Sequence, residues 1–290
     1  MLAQQIFNGL LLGSTYALFA LGLNLVLGAL NLLNFAHGEA LMVAVYAVLM
    51  LQAAAHVSGA VLVLAAMAAA AAVSMATYLF AFRWVNKEYW MAGALSTIGI
   101  SIFTQTLGAR LWGTDQRQVP DIIRGPAVSL GPVTATGAQL LLVAVTVLLM
   151  VLLHLLLTRT RVGRGMRALA ENRTTAMLMG VNVERMIQGT FLVAGIMAGA
   201  AGVLLTSVYN TVTPFVGLNL SVKGIVAITI GGMGNTYGAI VAGLLIGVLE
   251  TLTVAYGSAS YRDAIVFALL VVILMVRPQG LLGVRFPERA

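Results

Sequence analysis

Apolar runs of about twenty residues recur along most of the chain, separated by short polar breaks. A helix needs roughly 20 predominantly apolar residues to cross a hydrocarbon core about 30 Å thick. Candidate spans on that basis are 6–28, 38–55, 58–82, 91–112, 138–158, 187–208, 222–232 continuing through a Gly-rich break to 236–256, and 261–276. Runs such as Leu140 to Leu157 are apolar on every face, whereas membrane β-strands alternate apolar and polar positions over about ten residues. The pattern therefore predicts an all-α integral membrane protein, a polytopic helical bundle of about eight or nine spans with broken or re-entrant segments, built as one transmembrane domain over 1–290.

Composition agrees, with 60% hydrophobic and 9% charged residues against roughly 25% charged in soluble domains. With no cysteine, disulfides and thiolate metal sites are excluded. The formal charge of +7 is no sign of nucleic acid, because the cations sit in short loops between apolar runs, where they set topology. Met1 to Leu10 carries no Lys or Arg and reads as the start of the first helix. Arg159, Arg161, Arg164, Arg167, Arg173 and Arg185 fall in a 159–186 loop, Arg83 and Lys87 in an 83–89 loop, and Arg277, Arg285 and Arg289 in the tail. Retaining these on the cytoplasmic side makes the 113–137 loop extracytoplasmic, with the N-terminus outside and the C-terminus inside. The number of crossings is then odd, and the Gly231 to Asn235 break is either a turn between two spans or a re-entrant segment.

Gly- or Pro-interrupted helices in two halves of a membrane protein point to a solute pathway. One interruption is Asn31 to Glu39, with Asn31, Asn34, His37 and Glu39; the other holds Gly231, Gly232, Gly234 and Asn235. His37 and Glu39 either line a pathway or cap a helix at the cytoplasmic interface, Glu39 lying in the first turn of the next helix. Ser96, Thr97, Ser101, Thr104 and Gln105 form a polar stripe that binds a solute or bonds to a neighbouring helix. Lys223 and Glu250 either pair across adjacent spans or snorkel to the headgroups. Gly9/Gly13, Gly195/Gly199 and Gly243/Gly247 have the spacing of close helix contacts, within the bundle or between subunits. The 159–186 loop predicts one or two short surface helices carrying Arg164, Arg167, Ala168, Glu171, Ala176 and Gly180, a headgroup anchor or a docking site for a cytoplasmic partner. Neither Lys87 nor Lys223 sits in a P-loop, and no His-Glu-x-x-His pair or Gly-x-Ser-x-Gly elbow occurs, so no enzyme, metal or cofactor is expected.

Several segments together resemble the branched-chain amino-acid ABC transporter permeases of bacteria. They are Gly22-Leu-Asn-Leu-Val-Leu-Gly28 with Leu33-Asn-Phe-Ala-His-Gly-Glu39, Gly165-Met-Arg-Ala-Leu-Ala-Glu171 through Ala176-Met-Leu-Met-Gly-Val-Asn182, Gly231-Gly-Met-Gly-Asn235, and Arg277-Pro-Gln-Gly-Leu-Leu-Gly283. The resemblance covers nearly the whole chain in the family's order, and is closer to the H-type subunit than to the M-type. Met233 and the Ala-rich third span are modest departures. The resemblance implies a permease in a bacterial inner membrane, importing leucine, isoleucine, valine or other amino acids from the periplasm. Its partners are then two cytoplasmic ATP-binding subunits, a second permease subunit (M-type or a copy of itself), a periplasmic substrate-binding protein and membrane lipid. The 159–186 loop becomes the ATPase-coupling loop. The same resemblance admits urea or short amides as cargo, and the residues alone admit an ion-coupled secondary transporter with His37 and Glu39 as a proton relay.

Overall fold

The computed structural model describes residues 1–30, 33–54, 57–84, 90–119, 127–130 and 133–283. Asn31, Lys87, Arg285 and Arg289 lie outside the described residues. The helices are α1 Leu2–Leu30, α2 His37–Ala54, α3 Gly59–Thr77 extended by a π-turn at Tyr78–Phe82, α4 Trp90–Trp112, α5 Gly137–Arg159, α6 Arg161–Glu171, α7 Arg173–Leu178, α8 Val183–Tyr209, α9 Val216–Gly231, α10 Thr236–Tyr256 and α11 Arg262–Val276. Seven spans, on α1, α2, α3, α5, α8, α10 and α11, are long and apolar enough to cross a membrane. The remaining two long helices are α4, more polar, and α9, shorter. Nine of the described helices thus have 15 residues or more, which agrees with the expected span number.

Helix α1 is the centre of the bundle, buried around its whole circumference from Leu11 to Leu23. Glycine makes this possible. A Cβ on Gly9 would lie 2.6 Å from the Val248 Cα, and one on Gly243 would lie 2.5 Å from the Ala17 nitrogen, so α1 and α10 touch backbone to backbone. Helices α8 and α3 repeat the device, with Gly195 against Ala71 and Gly199 against Ala66 and Met67. The glycine spacing read from the sequence is therefore spent inside the subunit. The alanines of α3 are the small-residue partner that α8 requires.

The bundle has two distinct ends. At one, here the sheet end, strand β1 Arg117–Gln118 pairs with β4 Thr211–Val212, and β2 Ala127–Leu130 forms a hairpin with β3 Val133–Thr136. Gln4 ties that hairpin to the start of α1, donating to the Thr134 carbonyl at 3.0 Å and accepting from the Thr134 N–H at 2.7 Å. These short strands qualify the all-helical expectation. At the other end, the turn end, the close of α1 meets α6 and the Gly-rich break.

Two helices start inside the bundle rather than at an end. His37, the first residue of α2, packs on Phe19 and Gly22 of α1, so the chain after Leu30 turns back before α2 begins. Helix α9 starts beside it, with Gly217 against Gly38. The Gly231 to Asn235 break is a turn between antiparallel α9 and α10, which removes the re-entrant alternative at that position. Gly232 and Gly234 adopt φ of +105° and +82°, which side chains with a Cβ disfavour.

Candidate functional site

The interrupted segment and α4 build a buried polar seam between α1, α2, α4 and α9. Asn34 opens it: its Oδ1 accepts from the Ala36 N–H at 3.1 Å, an Asx-type turn that lets α2 start at His37. Thr97 of α4 accepts from the Phe35 N–H at 3.2 Å, and Ser101, one turn on, donates to Glu39 Oε1 at 2.9 Å. From α9, Ser221 accepts from the Gly38 N–H at 3.1 Å. His37 stands between Phe19 and Gly22, ring centroids 4.7 Å from Phe19, and the Gly22 position has no room for a Cβ because the imidazole fills it.

Glu39 is 0% exposed and His37 and Asn34 are almost as deeply buried, so the first turn of α2, where His37 and Glu39 stand, lies within the bundle. Several polar atoms here make no hydrogen bond among the described residues: Asn34 Nδ2, both ring nitrogens of His37, Glu39 Oε2, Tyr46 OH, Gln105 Nε2 and Trp112 Nε1. The Phe19 carbonyl lies beside the His37 ring without completing a bond of good geometry. Tyr46 and Trp112 stack at 4.3 Å and continue the seam toward the sheet end. A buried polar atom without a partner costs about 1–3 kcal/mol, and the seam gathers several of them. Ser96 takes no part, since its hydroxyl bonds back to the Ala92 carbonyl at 2.8 Å.

The Gly-rich turn is held differently. Asn24 of α1 accepts from the Gly234 N–H at 2.8 Å, and Asn235 caps α10 by accepting from Tyr237 and Gly238. The tail closes over it: the Leu281 and Leu282 N–H groups donate to the carbonyls of Ile230 and Gly231 at 2.7 and 3.0 Å, and Asn235 Nδ2 donates to the Leu282 carbonyl at 2.7 Å. These bonds satisfy carbonyls that the end of α9 leaves free. Gly231, Gly232, Gly234 and Asn235 are thus far from Glu39 in role: they form a locked turn at the turn end, beside the Arg-rich loop. Asn24, Asn235, Tyr237, Arg167 and His154 share a cavity of about 680 Å³ there.

That loop folds as two short helices, as the sequence predicts. Met166 and Leu169 of α6 are buried, and Gly163 and Gly165 let it sit on α5 and on Met186 of α8. Arg164, Arg167 and Glu171 face outward, while Ala168 is half-buried. Ala176, expected on a docking surface, is buried and packs the loop instead. The exposed apolar residues are its neighbours Met177, Leu178 and Met179, with Leu178 83% exposed. Gly180 ends the loop at φ +80°.

A third group is the one of which the sequence offered Lys223 and Glu250, as a pair or as separate charges. Glu250 of α10, 0% exposed, accepts from Lys223 at 2.5 Å, from Arg262 Nε at 2.9 Å and from the Tyr16 hydroxyl at 2.7 Å. Lys223 also meets Asp263 at 3.0 Å. The snorkelling alternative for Lys223 and Glu250 is therefore replaced by a buried ionic cluster joining α1, α9, α10 and α11. Tyr16, Arg262 and Asp263 were not singled out from the sequence, because their partners are distant in the chain.

The model of the family described as branched-chain amino acid transport system / permease component matches residues 5–274, which takes in the seam, the loop, the turn and the ionic cluster. The chain belongs to that family. A high-affinity branched-chain amino acid transport system permease protein LivH from Escherichia coli (strain K12) is 37% identical over 293 residues, covering 97% of this chain and 95% of its own length. The corresponding protein BraD of Pseudomonas aeruginosa is 35% identical over 292 residues, with the same coverage. A ribose import permease protein, RbsC of Haemophilus influenzae, is 28% identical over 127 residues and covers 42% of this chain. The resemblance drawn from four sequence segments thus extends to the whole chain, and the protein is a multi-pass transport permease.

Proposed function

We propose that this chain is a permease subunit of an ATP-binding cassette importer that moves branched-chain amino acids across a bacterial inner membrane into the cytoplasm. What carries the reading is similarity along 97% of the chain to permeases named for high-affinity branched-chain amino acid transport. The turn end, which bears six arginines between positions 159 and 185, faces the cytoplasm. The sheet end faces the periplasm and a substrate-binding protein. ATP is hydrolysed on two separate cytoplasmic subunits, docked on the exposed Arg164, Arg167 and Met177 to Met179 surface. A second permease subunit completes the pathway. Its motion is a rigid-body rocking of helices, for which α2 and α9, starting inside the bundle, supply the movable ends. The orphaned atoms of Asn34, His37, Glu39 and Gln105 line the route and find partners as it opens or as solute passes.

The test is reconstitution of the assembled transporter in liposomes, with its binding protein loaded in turn with leucine, glutamate or urea. Leucine-loaded protein is expected to stimulate ATP hydrolysis and uptake. Stimulation by urea alone would assign the chain to amide transport. The burial of His37 and Glu39 without full hydrogen bonding favours one other reading, a proton-coupled carrier. Uptake that survives ATP depletion and collapses with a protonophore would establish that reading in place of the first.

A further inference from the structure

We propose that the hollow between α9, α11 and β4 at the sheet end is a binding site for a zwitterionic aliphatic amino acid, with the Arg262 guanidinium receiving the carboxylate and Asp263 the ammonium group. The inference rests on the amino-acid reading above and adds a site to it. The hollow measures about 470 Å³, within the range of roughly 300–1,000 Å³ usual for small-molecule sites.

Arg262 is held rather than free. Its Nε edge is bonded to the fully buried Glu250, and its guanidinium lies 5.1 Å from the centre of the Tyr209 ring. The Tyr16 hydroxyl lies beside the same edge of the guanidinium, and Arg262 remains 28% exposed where it lines the hollow; a fork fixed from behind in this way presents its remaining N–H groups to a carboxylate. Asp263 follows it in the chain and lines the same hollow. One Asp263 oxygen takes Lys223, and the side chain remains 66% exposed, leaving the other oxygen for an ammonium group. Lys223, Arg262, Glu250 and Asp263 together sum to zero charge, so the hollow attracts neither bare anions nor bare cations but suits a molecule bearing both. Leu205, Leu220 and Phe267 supply the apolar wall for a branched side chain.

Position gives the site a use. Helix α9 forms one wall with Leu220 and Lys223, while its opposite face, Gly217 and Ser221, touches Gly38 at the head of the polar seam. A solute resting in the hollow is therefore one helix away from Glu39.

Because the chain has no cysteine, Asn219→Cys gives this subunit a single thiol at the lining of the hollow, and Leu218→Cys an exposed neighbour outside that lining. The alkylation rate of each is measured in the assembled transporter without binding protein, and uptake of leucine is measured with it. Leucine is expected to slow alkylation of Asn219→Cys about tenfold once in roughly tenfold excess over its dissociation constant, and to leave Leu218→Cys unaffected. Isocaproate, lacking the ammonium, and isoamylamine, lacking the carboxylate, are expected to give no protection. Adding Asp263→Asn, an isosteric substitution at the exposed edge of the ionic cluster that leaves Glu250 paired with Lys223 and Arg262, is expected to remove protection while the complex still assembles. Arg262→Gln should do the same. Should it fail to assemble, the Asp263→Asn result decides. Normal leucine uptake with an unprotected Asn219→Cys, or equal protection by all three compounds, overturns the site. A complex that takes up no aliphatic amino acid at all overturns the transport reading beneath it.

Discussion

Glu250 is a single buried carboxylate facing Lys223, Arg262 and Tyr16, and removing it leaves Arg262 without its counter-charge and Lys223 with the exposed Asp263 alone. Glu250→Ala is therefore expected to destabilise the subunit by about 3–5 kcal/mol, the usual cost of breaking a buried pair from one side. The double variant Lys223→Ala/Glu250→Ala should recover part of that loss, because it removes a cation along with the acid. Thermal unfolding of the detergent-solubilised protein checks both. A double variant no more stable than Glu250→Ala would mean that Lys223 is not the charge Glu250 neutralises. Glu39 differs in kind, with one oxygen bonded to Ser101 and the other unbonded, and its burial is tied to the seam rather than to a closed ionic cluster.

Element pairing rests on small residues at chosen depths. A Cβ at Gly13 would meet the Leu244 Cα at 2.7 Å and its carbonyl at 2.8 Å, whereas nothing lies within 4 Å of one at Gly28, further along the same helix. Gly13→Ala is expected to lower the melting temperature clearly, since two backbones must separate. Gly28→Ala should leave it unchanged or raise it by the helix-propensity gain of roughly 0.5–1 kcal/mol. Equal effects of the two would show that α1 and α10 are not in backbone contact. The start of α2 within the bundle has a similar local cause: Asn34 turns the chain, and Gly38 has no side chain to keep α9 away.

Across the whole molecule, the turn end gathers the Arg-rich loop, the Gly-rich turn and the tail, while the sheet end carries the hairpin and the hollow. With the turn end in the cytoplasm, a membrane-impermeant maleimide applied to intact spheroplasts should label Asp115→Cys, exposed beside β1 at the sheet end, and spare Met179→Cys, and inverted vesicles should reverse the result. Labelling of Met179→Cys from outside would invert the topology. Leu178→Asp, which places a charge on an exposed apolar knob without touching the core, is expected to abolish co-purification of the ATP-binding subunits while the permease keeps its melting temperature. Retained ATP-binding subunits would move the docking surface elsewhere.

The sequence by itself determined the helical membrane class, the approximate span positions, the two interruptions, the short helices of the loop and the family, because each depends on local apolar length or on a contiguous motif. It placed His37, Glu39 and Ser101 among the candidates, since polar side chains stand out in apolar runs. It left undecided whether the Gly-rich break turns or re-enters and whether Lys223 and Glu250 pair or snorkel, and it could not add Arg262 and Tyr16 to them. Those answers depend on which helix lies beside which, and α1 meets α10 across more than two hundred residues of chain. The same holds for glycine: four-residue spacing announces a close contact, but only the packed bundle showed that the contacts are internal. Ala176 and Leu178 make the point at short range, because apolar character alone does not distinguish the residue that packs a loop from the one that projects from it.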